Sequence, residues 1–221
     1  PYTHFISIPL VGASDAIAAL QREVEAPRKA LVSPGQLHLT LCMLRLLTPR
    51  AVETAIHALH AASPGLERAL RGLRAGLKGF EIMNDDPSAV HVLYMRISEP
   101  SPSSSLPVVP SITAAWNCVV SELKKVGLLD DDELERQHMR AGDGSFQPKL
   151  HATFLNTRLA TRDGEERKAF DASELMEKYD GHLFATTPIT SVHLSIRGPF
   201  GKDGYYQSAG KVEFDTMGRG E

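Results

Sequence analysis

Gln36-Leu37-His38-Leu39-Thr40-Leu41-Cys42-Met43-Leu44 alternates apolar and polar side chains through its first half and places a β-branched residue at its centre. That is the pattern of a half-buried strand. A strand sends residues i and i+2 to the same face, so His38 and Thr40 point together. The same tripeptide pattern returns in Lys149-Leu150-His151-Ala152-Thr153-Phe154-Leu155-Asn156-Thr157, where His151 and Thr153 share a face in the same way. Set side by side, the two strands would line one cleft with two imidazoles and two hydroxyls.

Those residue types suit transfer at a phosphorus centre. One base must take a proton from the attacking hydroxyl and one acid must give a proton to the departing oxygen. Histidine serves either role because its ordinary pKa lies near neutrality. The threonine hydroxyls can donate to non-bridging oxygens as charge develops there. With a ribose 2′-OH or a water as nucleophile, the chemistry demands no metal or cofactor.

Outward from the two motif strands the chain alternates strand and helix. His4 to Val11 is expected to form a first strand, with Pro9 at an edge or end, followed by a helix from Ser14 or Asp15 to about Glu25. The motif strand runs from Leu37 to Leu46, and Thr48-Pro49 then supplies an N-cap and first-turn proline for a helix to about Ala62. Leu73–Ile82 and Val90–Ile97 are predicted strands joined by a dense turn signal, Met83-Asn84-Asp85-Asp86-Pro87-Ser88. The Ser/Pro-rich stretch 98–110 is expected to loop out. A helix capped by Ser111 follows, with Ile112, Trp116, Val119, Val120, Leu123 and Val126 at helical spacing and Gly127 at its stop. An acidic run at 130–135 and a glycine-containing approach at 140–148 lead irregularly into the second motif. A helix near Ser173–Tyr179 and strands at Ile189–Ile196 and Tyr205–Phe214, joined by the turn-prone 197–204, close the chain. Strand, helix, motif strand thus occurs once in each half, a weak pseudo-repeat within a single domain spanning 1–221.

The 221 residues are 42% hydrophobic and 23% charged, enough for a full core. A net charge of −3 gives no electrostatic reason to expect long duplex nucleic acid, though it leaves room for a local basic cleft. Cys42 and Cys118 sit in apolar strand-like and helix-like contexts, which suits reduced thiols and a reducing compartment. No apolar run is long enough to span a membrane and no secretory signal is present, so a membrane or secreted role is not expected. Beginning at Pro1 without a Met, the chain is expected to be a piece of a longer one.

The paired motifs resemble those of the 2H phosphoesterase superfamily, which includes RNA ligase-like and cyclic phosphodiesterase proteins. Blocks such as PYTHFISIPL, HLTLCMLRLLT, GFEIMNDDPSAVHVLYMRI, KLHATFLNTR and GYYQSAGKVEF, running nearly end to end, are similar to the phosphoesterase-like domains of the activating signal cointegrator 1 complex, related to the central domain of the A-kinase anchoring protein 7 group. The resemblance implies an α+β, two-lobed RNA ligase-like fold. Two antiparallel-rich β-sheets would form a central groove with helices packed outside, and His38, Thr40, His151 and Thr153 would face each other across it. It further implies a nucleotide or single-stranded RNA as ligand, a preceding KH-type RNA-binding module, a nuclear setting with the cytoplasm also open, and membership of a helicase-containing assembly for transcription and alkylation repair. By the same resemblance, the stretches 101–110 and 139–148 are expected to be insertions relative to that family. A monomer is the default expectation.

Around the four motif residues, Phe5 and Tyr2 offer aromatic faces for a base, with core packing the other reading. Lys149 is expected to share the strand face of His151 and meet a phosphate; Arg158 and Lys202 are further cationic candidates. Tyr205 and Tyr206 should point to opposite faces, one of them lining the groove. A third copy, His193-Leu194-Ser195, lacks a partner in the half-to-half pattern and is taken as a sheet residue. His57, His60, His91, His138 and His182 are expected to be solvent-facing or satisfied locally, and Asp85-Asp86 is a turn rather than a metal site. Three roles stay open: a phosphoesterase, a binding module that holds a nucleotide or RNA end without turnover, and a scaffold with a vestigial groove. Two intact motifs favour chemistry, because a pure binder has no need of two titrating groups.

Overall fold

The computed structural model describes residues 1–101 and 106–214. Among the described residues, eight strands and six α-helices follow one another as β1 (His4–Pro9), α1 (Ser14–Glu23), β2 (His38–Leu44), α2 (Pro49–Ala61), α3 (Ser63–Leu70), β3 (Arg74–Ile82), β4 (Val92–Ser98), α4 (Val108–Lys125), α5 (Asp131–Arg136), β5 (Ala152–Asn156), α6 (Ser173–Lys178), β6 (Leu183–Pro188), β7 (Ser191–Phe200) and β8 (Tyr206–Glu213). The strands make two four-stranded sheets with orders β2-β1-β7-β8 and β5-β4-β3-β6, every pairing antiparallel.

The first sheet takes its strands from both ends of the chain and the second from its middle. The two motif strands therefore occupy equivalent places, each at one edge of its sheet, although the lobes are not the two halves of the sequence. Residues of β2 and β5 approach within 8 Å Cα to Cα. The sheets are also tied together there, through a bridge between Leu31 and Leu155 and a bond from the Val32 amide to the Phe154 carbonyl at 3.0 Å.

Helices cover the outer face of the first sheet. Thr48 caps α2 through its side chain, which accepts from the Ala51 amide, and Pro49 starts the helix where no amide is needed. Gly210 in β8 lets α2 pack closely: a Cβ there would come within 3.0 Å of Ile56 Cγ1. Helix α4 begins at Val108, one turn before the expected Ser111 cap, and buries Val108, Ile112, Ala115, Trp116, Val119, Val120 and Leu123. It ends in a Schellman motif, with Gly127 at φ 71° and bonds from Gly127 N to Lys124 O and from Leu128 N to Leu123 O. Of the loop expected at 98–110, residues 102–105 lie outside the described residues.

Three elements differ from the sequence expectation. The acidic run contains the short helix α5, because Asp130 caps it by accepting from the Glu133 amide and its acids fill the first turn. Ser63–Leu70 is a separate helix, α3, restarted by Pro64. Leu183–Pro188 is a strand, β6, whose sparse apolar pattern follows from its place at the far edge of the second sheet.

Candidate active site on two facing strand edges

Strand β2 shows the expected alternation at its start: His38 and Thr40 are partly buried, Leu39 and Leu41 fully buried. The alternation changes phase at Leu41 and Cys42, where the pairing with β1 slips by a residue between Ile6 and Ser7. That bulge lets the first half of the strand present its polar face to the groove while both halves keep apolar residues in the core. As an edge strand, β2 has outward backbone groups to satisfy. Side chains do so: Trp116 Nε1 donates to the Leu41 carbonyl at 3.0 Å. Gln137 accepts from the Met43 amide at 2.7 Å and donates to its carbonyl at 3.0 Å, in the manner of a neighbouring strand.

The two motif histidines are held identically. His38 Nδ1 lies 2.7 Å from the Gln36 carbonyl and His151 Nδ1 lies 2.7 Å from the Lys149 carbonyl, each two residues back in the chain. A carbonyl only accepts, so each Nδ1 carries the proton and each Nε2 is left as the proton-exchanging atom. His38 opens β2 just after the tight turn at Pro34–Gln36, and His151 immediately precedes β5. Neither Thr40 nor Thr153 spends its hydroxyl on a hydrogen bond among the described residues, which leaves both free to donate.

The walls around the two rings differ. His38 sits among Phe5, Tyr205 and Tyr206, with ring centroids at 5.2, 6.3 and 5.4 Å. Behind them, Tyr205 donates to the Ser7 hydroxyl at 2.8 Å, and Ser7 lies 2.9 Å from Ser195, all buried. His151 packs against Tyr94 at 5.5 Å, and Tyr94 stands opposite Thr153 in the β4–β5 pairing. Burial pushes the His38 pKa down to about 4 against the pull of the Gln36 carbonyl, and the nearby His151 lowers it further. Burial also lowers His151; its bond to the Lys149 carbonyl opposes this, and the Lys149 ammonium adds to it.

The other predicted residues fall as follows. Phe5 is 4% exposed and touches both His38 and Tyr206, so it supports the site from within rather than offering an open face. Tyr2 is turned away, its hydroxyl bonded to Glu133 of α5. Lys149 is exposed and precedes β5 rather than sharing its pleat, yet its charge reaches His151. Lys202 and Arg158 are exposed, in the β7–β8 turn and just past β5. Tyr205 and Tyr206 do not oppose each other: both rings contact His38, 5.5 Å apart, because Tyr205 belongs to the turn and strand alternation begins only at Tyr206. His193 is a sheet residue of β7, as expected, with its ring against Tyr205 at 5.6 Å. His57, His60, His138 and His182 are exposed, and His91 pairs locally with Thr157 at 3.1 Å. Asp86 makes a turn by accepting from the Ser88 amide and hydroxyl. Cys42 and Cys118 are free thiols. Surface depressions of about 430 and 680 Å³ lie elsewhere, the first lined by Glu23 and Lys178 among others, the second by Pro27 and Ala169.

Tyr94 is a site neighbour that sequence reasoning passed over. Its signal is the strand register, which sets Tyr94 beside Thr153 and becomes visible only once β4 and β5 are paired.

A family profile described as the AKAP7 2'5' RNA ligase-like domain matches residues 2–214. The chain belongs to the AKAP7 2'5' RNA ligase-like domain family. Among curated proteins it is 26% identical to mouse (Mus musculus) activating signal cointegrator 1 complex subunit 1, over 97% of this chain and 63% of the mouse protein. The chain thus spans somewhat less than two thirds of that relative's length. Among solved structures, a phosphoesterase superposes with a TM-score of 0.52 at 15% identity, covering 97% of this chain and 98% of the other. Escherichia coli LigT complexed with NADP+ gives a TM-score of 0.51 at 15% identity, covering 98% and 99%. At that identity the likeness is one of fold: the RNA ligase-like two-sheet architecture of a phosphoesterase.

Proposed function

We propose that this AKAP7 2'5' RNA ligase-like domain is a metal-independent 2H phosphoesterase acting on RNA ends or on small 2′,3′-cyclic or 2′,5′-linked nucleotides. The observation that carries the reading is the matched pair of imidazoles, each locked through Nδ1 to a backbone carbonyl on a facing strand edge. One neutral Nε2 takes the proton from a 2′-OH or water. The other histidine, protonated, delivers a proton from Nε2 to the departing oxygen, and the Thr40 and Thr153 hydroxyls donate to the non-bridging oxygens. The order reverses for a substrate bound in the opposite sense, so the fold supports either assignment. Lys149 supplies attraction for the phosphate beside His151.

The similarity to the mouse cointegrator subunit supports work within an RNA-processing, transcription or repair assembly containing a helicase, in a nuclear setting. A monomeric domain that takes single-stranded RNA or nucleotides is the corresponding form. The NADP+ bound to the E. coli LigT structure supports a nucleotide-sized ligand.

The test is incubation with 2′,3′-cyclic nucleotides, 2′,5′-linked dinucleotides and short single-stranded RNA in EDTA, with products separated by chromatography. New ends that vanish in H38A and H151A support the phosphoesterase. Saturable binding with no turnover of any substrate would instead make the groove a non-catalytic nucleotide-binding module.

A further inference from the structure

The wall on the His38 side continues outward along the β7–β8 hairpin. The pairing of β7 with β8 jumps from Ser195↔Ser208 to Phe200↔Tyr206, so the extra residues around Arg197–Pro199 bulge from β7. Such a bulge re-aims the residues beyond it. Here it sets Phe200 against Tyr206, with ring centroids 5.1 Å apart, and Tyr206 in turn lies 5.4 Å from His38. Phe200 is 47% exposed, unlike Phe5 and Tyr205 deeper in the same cluster. Arg197 is exposed near Tyr206, and Lys202 is exposed in the hairpin turn. An aromatic row therefore runs from the reacting histidine to solvent with cations beside it.

The opposite wall is built differently. Beyond His151, burial and the neighbouring Glu81 carboxylate raise the pKa of Tyr94, and Arg96 lies 3.4 Å from the same carboxylate. The aromatic hydroxyl and the cation there are engaged by a carboxylate, which repels a phosphate backbone.

We propose that the β7–β8 hairpin is a stacking platform for single-stranded RNA, with the nucleoside next to the scissile phosphate against Tyr206 and the following base on Phe200. The inference rests on the phosphoesterase reading and names its substrate as an oligonucleotide that leaves the groove over this hairpin. Stacking on an aromatic face needs no particular base and requires the base to be unpaired, so the platform excludes duplex. Arg197 and Lys202 are placed to meet the accompanying phosphates.

The probe is a series of 2′-O-methyl oligouridylates of increasing length, whose affinity is read by titration calorimetry so that turnover plays no part. Affinity is expected to rise about fivefold or more at the length that reaches Phe200. That gain should disappear in F200A, return in F200W, and persist in V126A, an equally exposed apolar residue at the end of α4. An affinity that stays flat with length, or a gain that survives F200A, overturns the platform. Turnover of dinucleotides without any length gain would remove the platform and leave the phosphoesterase standing. A length gain without turnover of any substrate would do the reverse.

Discussion

A proton on His151 makes a proton on His38 harder to hold, because the two imidazoles share one groove and neither is fully exposed to water. The productive state needs one of the pair neutral and the other protonated. Burial holds His38 down to about 4 and His151 below its ordinary value of 6.5. The singly protonated pair is therefore most abundant between those limits. Below them both histidines are cationic and no base remains; above them both are neutral and no acid remains. The kcat/KM profile on a cyclic nucleotide is expected to be a bell centred on the acid side of neutrality, its limbs belonging to the pair rather than to either residue. A bound phosphate favours the cation, so the alkaline limb of kcat should lie at higher pH than that of kcat/KM. A maximum above pH 7 in kcat/KM would contradict this environment for the rings.

Removing either histidine should cost roughly 10²- to 10⁴-fold in kcat. The double variant H38A/H151A should lose less than the product of the two single losses, since the groups act as a unit. T40A and T153A should lower kcat more than they raise KM, because their hydroxyls serve charge that appears in the transition state. Steady-state kinetics on one substrate checks all five variants.

Stability follows pH through the same buried ring. The folded pKa of His38 lies below that of the unfolded chain, so the unfolded state binds more protons between pH 6.5 and about 4. Stability therefore falls as pH drops through that window, by about 2–3 kcal/mol from this residue. Thermal melts at pH 7 and pH 4.5 should show a smaller difference in H38N than in the unsubstituted protein. An equal difference would mean that the ring is better hydrated than its packing indicates.

Gln137 stands in for a missing strand along the edge of β2. Replacing it by Leu leaves the Met43 amide and carbonyl without these partners, at about 1–3 kcal/mol. The midpoint of thermal unfolding should fall by several degrees. Glu retains the acceptor and loses the donor, so Q137E should fall between. A melt unchanged in Q137L would show that water replaces the amide without loss.

Much of this arrangement is legible in the chain. Period-two alternation marks β1, β2, β3, β4, β5 and β7; Thr48-Pro49 marks the start of α2, and Gly127 the end of α4. Strand β6 escaped because an edge strand with one solvated face carries Thr and Pro where a central strand would carry Val and Ile. Tyr205 and Tyr206 misled because alternation applies inside a strand and fails at the turn that feeds it. Gln137 was invisible for a different reason: its partner, Met43, lies 94 residues away, and nothing local in Gln-His-Met announces a backbone mimic.

The sequence by itself determined which side chains point together, because a strand's pleat is a local property: His38 with Thr40, and His151 with Thr153. Tertiary structure alone decided that β2 and β5 are sheet edges brought face to face, and that one imidazole is walled by aromatic rings while the other meets a tyrosine tied to a carboxylate. Those outcomes depend on strand pairing between segments far apart in the chain, where burial of two apolar sheet faces, rather than any local preference, selects the register.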